Sequence, residues 1–122
     1  MAKILIVDDS SLSRRMLRNI LEPAGHQVVE AADGLGGLEQ YALAKPDLVS
    51  LDMTMTGMHG LDVLTKLREM DPHARIVVAS ADVQSSTREL AEAAGAVGFI
   101  AKPFLSEQVL NAVNAALIGG TQ

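Results

Sequence analysis

The chain contains neither cysteine nor tryptophan in its 122 residues. Without cysteine there are no disulfide staples, no thiol catalysis and no Cys-ligated zinc or iron–sulfur centre, and a reducing compartment suits such a chain. Aromatics are scarce as well: Tyr41, Phe99 and Phe104 are too few to make a base-stacking platform. Positive charge is also short, with 10 Lys and Arg against 15 Asp and Glu and a net charge of −5 at pH 7. Neither nucleic acid nor an anionic membrane is therefore expected as a direct partner. No apolar run approaches the length of a membrane span, and the opening "MAKILIVDDS" is too short in apolar residues for a signal h-region. The expectation is a soluble, cytoplasmic protein. A chain of this size can bury a core unaided, and one domain over residues 1–122 is the expected organisation.

What the chain does have is a series of short aliphatic runs: "ILIV" (4–7), "QVVEA" (27–31), "DLVSL" (47–51), "RIVVAS" (75–80) and "AVGFIA" (96–101). Their length and branched residues predict strands. Helical spacing predicts helices between them. In the first, Leu12, Met16, Leu17, Ile20 and Leu21 share a face, with Arg14, Arg15, Arg18 and Glu22 opposite. Segment 35–44 follows, weakened by Gly36 and Gly37, and segment 60–70 carries Leu61, Leu64 and Leu67. Segment 85–94 opens on a capping Ser and has only Leu90 and alanines to bury. Segment 105–117 carries Val109, Val113, Ala116 and Leu117, and Gly119 is placed to cap it where the domain is expected to end. Strand and helix alternate five times with short connections, which predicts an α/β fold: a doubly wound parallel sheet covered on both faces.

In such a sheet, ligands gather beyond the carboxyl ends of the strands. The first strand ends at Asp8 and Asp9, the third at Asp52, the fourth at Ser80 and the fifth at Lys102, just before Pro103; the second offers nothing reactive before Asp33. A buried strand that ends in two adjacent acids needs something positive to meet them.

The motifs "VDDS", "LDMTMTGMHG", "VVASA" and "AKPF", in this order and at these strand ends, resemble the receiver domain of bacterial two-component response regulators, most of all its single-domain chemotaxis-type members. The resemblance spans nearly the whole chain. It implies a flavodoxin-like (βα)5 sheet of order 2-1-3-4-5, the family's own order. It implies Asp52 as the phosphoacceptor, with Mg²⁺ held by Asp9, Asp52 and the backbone carbonyl of Thr54 while Asp8 acts through a water. Ser80 and Lys102 are implied to contact the phosphoryl oxygens, and Phe99, three residues before Lys102, to change rotamer on activation. The implied partners are a sensor histidine kinase, a downstream effector protein met through residues 82–118, and a phosphatase; the implied role is a signalling switch rather than an enzyme with an external substrate. The family's usual Pro four residues after the acceptor is Thr56 here, which leaves that loop freer and puts metal affinity in question.

Plainer readings stand beside these. An acid pair after a strand is commonly a solvated loop or a helix cap, and Lys102 or Ser80 taken alone would be a surface lysine and a small filler. Their joint placement argues for a site. His26, His59 and His73 lack ligand spacing, and Met53, Met55 and Met58 read as adaptable packing. The arginines of the first helix read either as a solvated face or as a kinase-docking surface. A hydrolase with an aspartate nucleophile of the haloacid dehalogenase type would want D-x-D where this chain has adjacent acids, and a flavin carrier would not set two carboxylates in its phosphate loop. A receiver fragment of a longer regulator is the remaining alternative.

Overall fold

The computed structural model describes residues 2–53, 60–81 and 86–119. Five strands, β1 (Lys3–Val7), β2 (Gln27–Ala31), β3 (Leu48–Asp52), β4 (Ile76–Ser80) and β5 (Gly98–Ala101), alternate with five helices, α1 (Ser11–Leu21), α2 (Gly34–Ala44), α3 (Gly60–Met70), α4 (Ser86–Ala93) and α5 (Ser106–Gly119). The strands are parallel in the order β2-β1-β3-β4-β5, as expected. Ile4, Leu5, Ile6 and Val7 of β1 are all fully buried, which is why that strand reads as an unbroken apolar run rather than an alternation. Side chains of one parity, such as Leu5, Val7, Val49 and Leu51, pack with α2, α3 and α4. The other parity, such as Ile4, Ile6 and Leu48, packs with α1 and α5. Each fully buried Ile, Leu or Val contributes about 1.5–3 kcal/mol.

One glycine of α2 has a packing reason. A side chain at Gly37 would come within 2.9 Å of the Val7 side chain, so glycine lets the helix lie close on β1 at a cost in intrinsic helicity. Gly95, at φ +110, ends α4, and the Ala96 amide turns back to the Ala91 carbonyl at 2.9 Å. Because Ala96 closes the helix, β5 starts at Gly98 rather than at 96.

Three expectations about helix faces and ends need correction. On α1, Leu17 and Leu21 are buried, but Leu12 is 63% exposed and Met16 is exposed too; both lie roughly 100° or more round the helix from Leu17. Arg14 and Arg18 instead turn toward the sheet edge and are half-buried. On α4, Leu90 is 55% exposed and Ala91 is the fully buried contact among the described side chains, so a small residue seats this helix, and seats it thinly. Gly119 belongs to α5 rather than to a left-handed cap. The capping Ser expected at 85 lies outside the described residues.

Candidate functional site at the carboxyl edge of the sheet

Parallel register brings the strand ends to one edge. Val7 pairs with Leu51, Asp52 with Ala79, and Ser80 with Ala101, so the residues just beyond these pairs stand side by side. Asp8 follows β1, Asp52 closes β3, Ser80 closes β4, and Lys102 follows β5. Asp8, Asp52 and Ser80 are buried, whereas Asp9 is exposed. One carboxylate oxygen from each of Asp8, Asp9 and Asp52 lies within 4.8 Å of the others. The acids expected to converge do so.

Lys102 reaches across two strand spacings into this cluster. Its Nζ lies 3.2 Å from Asp8 Oδ2 and 3.4 Å from Asp52 Oδ1. The Lys102–Pro103 peptide is cis. Burial pushes the Asp8 carboxyl above its ordinary range; the Ser10 amide and Lys102 pull the other way, and Asp52 adds to the rise. The Lys102 ammonium thus lies against two of the three clustered carboxylates. Their hard oxygen donors, close spacing and surplus of negative charge fit a divalent cation such as Mg²⁺.

Asp8 is fixed on every side. Its amide donates to the Ala31 carbonyl at 3.1 Å, its Oδ1 accepts from the Ser10 amide at 2.9 Å, and its carbonyl accepts from Arg14 Nη1 at 2.7 Å. Ser10 in turn caps α1, its hydroxyl accepting from the Ser13 amide at 3.1 Å. Arg14 Nε donates to Glu30 Oε1 at 2.9 Å, and Arg18 Nε to Glu30 Oε2 at 2.6 Å. Sequence reasoning missed this pair and set the second strand aside. The available signal was Glu30 itself, the one charged residue of the second strand. With Arg14 and Arg18 committed to Glu30, Arg15 is the arginine of α1 left exposed.

Phe99 is half-buried against the core beneath α3 and α4, with the Arg88 guanidinium 4.4 Å above its ring. Thr54, Met55, Thr56, Met58 and His59 lie outside the described residues, as do residues 82–85 of the expected effector surface. His26 accepts from the Ala2 amide at 3.2 Å and His73 is exposed on a turn; neither adjoins the acids. Among the described residues no helix is long and apolar enough to cross a membrane.

A family model for the response regulator receiver domain matches residues 4–114. The chain is 42% identical over 113 residues to the chemotaxis protein CheY of Thermotoga maritima, an overlap of 92% of this chain and 94% of that one. It is 43% identical over 116 residues to the chemotaxis protein CheY of Bacillus subtilis, covering 94% and 97%. Among solved structures, the Vibrio cholerae chemotaxis protein CheY4 crystallised at low pH superposes with a TM-score of 0.91 at 30% identity, covering 95% of this chain and 98% of that chain.

Proposed function

Because this chain belongs to the response regulator receiver family, and is thus a phosphorylation-activated signalling switch of two-component systems, we propose that Asp52 is its phosphoacceptor and that Lys102, Ser80 and the Asp8–Asp9 pair are its machinery. The observation that carries this reading is Lys102 Nζ standing between Asp8 and Asp52 at the carboxyl edge of the sheet.

An Asp52 oxygen attacks the phosphorus of a phosphohistidine on the sensor kinase. The new P–O bond forms as the P–N bond breaks, and the departing imidazole takes up a proton. Carboxylate and phosphoryl group are both negative, so the barrier falls mainly through positioning and neutralisation. Lys102 holds a positive charge 3.4 Å from the acceptor, where phosphoryl oxygens arrive. Ser80, on the neighbouring strand end, supplies a hydroxyl. Asp8, Asp9 and Asp52, with the Thr54 carbonyl, would hold Mg²⁺, which when bound supplies further positive charge to the transferring group.

The expected result with acetyl phosphate and Mg²⁺ is one added phosphoryl group by intact mass. Asp52→Asn abolishes it and omission of Mg²⁺ suppresses it. Undiminished labelling of the variant would refute the assignment.

Signal output follows from the same contacts. New phosphoryl oxygens draw Ser80 and Lys102 inward, and the Phe99 ring, a switch held under Arg88, takes a second packing that shifts the thinly seated α4. Residues 82–118 then present a changed face to an effector protein. Amide NMR with beryllofluoride, a phosphoryl mimic, should show large shifts around Phe99 and Ala91 in wild type and much smaller ones in Lys102→Ala. Wild-type shifts confined to the neighbourhood of Asp52 would remove Phe99 from the switch. The chain acts as one receiver domain, in a chemotaxis-type pathway like those its relatives' names give; a phosphatase is the remaining partner. The role is that of a switch that promotes its own phosphoryl transfer and loss.

A further inference from the structure

We propose that Arg14, anchored from the edge strand β2 by Glu30, is a positioning residue that holds the acid turn in its cation-binding geometry. This rests on the reading of Asp8, Asp9 and Asp52 as the Mg²⁺ site and deepens it.

The turn after β1 carries two adjacent carboxylates facing a third, and mutual repulsion tends to spread it. The Asp8 side chain is restrained by Ser10 and Lys102, but neither contact fixes the peptide that joins Asp8 to Asp9. Arg14 does. Its Nη1 donates to the Asp8 carbonyl at 2.7 Å, the oxygen of that very peptide, while its Nε donates to Glu30 at 2.9 Å. A guanidinium is planar and rigid, so two of its donors committed to two elements set the distance between them. Swinging the Asp8–Asp9 peptide therefore requires breaking a contact to β2.

Glu30 is suited to be the fixed end. It pairs with Ile6 in the parallel ladder, and its parity points it to the face covered by α1. Its two carboxylate oxygens are held separately, one by Arg14 and the other by Arg18. Burial pushes its carboxyl up, but the hydrogen bonds from Arg18 and then Arg14 outweigh this and hold it below its ordinary range, so it stays ionised. The Arg14 side chain is only 18% exposed, which shields the bridge from competing water.

Glu30 also restrains where the Arg14 charge goes. Without it, a freed guanidinium can swing toward the Asp8 and Asp9 carboxylates and compete with the cation. Outer partners of a metal ligand typically alter affinity by about tenfold or more. A contact acting through a backbone carbonyl should sit near the low end of that range.

The test is Mg²⁺ titration of the full chain followed by the amide signals of Asp8, Asp9 and Ser10, with metal-free hydrogen exchange at the Ser10 amide as the second readout. Glu30→Gln and Arg14→Lys should each weaken Mg²⁺ binding about tenfold and speed Ser10 exchange, with the remaining amide spectrum unchanged. Arg14→Lys keeps the charge but loses the rigid fork, so wild-type affinity in that variant would mean that charge, not positioning, is what matters. Arg14→Ala alone and combined with Glu30→Gln should match one another, because Glu30 acts only through Arg14. Unaltered affinity and exchange in Glu30→Gln, beside a wild type that binds Mg²⁺ normally, would overturn the positioning role and leave the site assignment standing. A wild type that binds no Mg²⁺ would remove both.

Discussion

Two charged clusters flank the start of α1, and they are built on opposite principles. On the β3 side, Asp8, Asp9 and Asp52 are pressed together, with the Lys102 ammonium against Asp8 and Asp52. On the β2 side, Glu30 is matched by Arg14 and Arg18, and Arg18 also reaches Glu22 at 2.5 Å. Their pH signs differ accordingly. Burial holds the Asp8 carboxyl above its ordinary range, so its ionised form costs the fold. The arginines, against burial, hold Glu30 below its range, so its ionised form stabilises the fold, a contribution lost as pH falls through that lowered value. The first cluster sets like charges against one another; the second pairs opposite charges and braces the first through one arginine.

The largest effect expected in testing this contrast is on the strained side. Asp8→Asn removes a buried charge from the cluster, and in metal-free denaturant melts at neutral pH it should be more stable than wild type by about 1–2 kcal/mol. Exposed Asp9 is solvated and should yield less. The advantage must also depend on pH. A raised folded pKa means that the folded protein binds the proton more tightly than the unfolded chain. The gap between variant and wild type should thus be full above the folded pKa, narrow as pH falls through it, and close below the unfolded value. A gap that widens on acidification would show that Asp8 is not the strained group.

The smallest effect lies at the outer end of the matched side. The Arg18–Glu22 pair is 34% and 47% exposed, and Glu22 sits at the C-terminal end of α1, where the helix dipole disfavours an acid. Glu22→Gln should alter stability by no more than about 0.3 kcal/mol, with little dependence on salt. A loss above about 1 kcal/mol would mean that the arginine network draws its strength from its exposed rim rather than from Glu30.

The sheet was legible because its information is local and one-dimensional. Five aliphatic runs separated by helical spacing leave one family of solutions, and the acids, Ser80 and Lys102 stand at positions where the chain leaves the sheet. The helix faces were less legible. Leu12 and Met16 satisfy an apolar period as well as Leu17 and Leu21 do, and only the seat of α1 against β1, β2 and α5 decides which pair is covered. Leu90 looked like the anchor of α4 because it is the larger side chain, yet close packing on the sheet admits Ala91 there and turns Leu90 outward. The Arg14–Glu30 bridge was the least legible, since its partners are 16 positions apart and each has an ordinary solvated reading by itself.

By sequence alone, then, the chain determined its alternation, its parallel sheet and the set of side chains at the carboxyl edge, because strand ends and short connections are properties of neighbouring residues. Only the tertiary structure decided which of those charges are buried, that Lys102 stands between Asp8 and Asp52, and that Arg14 ties the acid turn to β2. Those outcomes depend on distances between elements remote in the chain, and desolvation and Coulomb energy change most steeply over just those few ångströms.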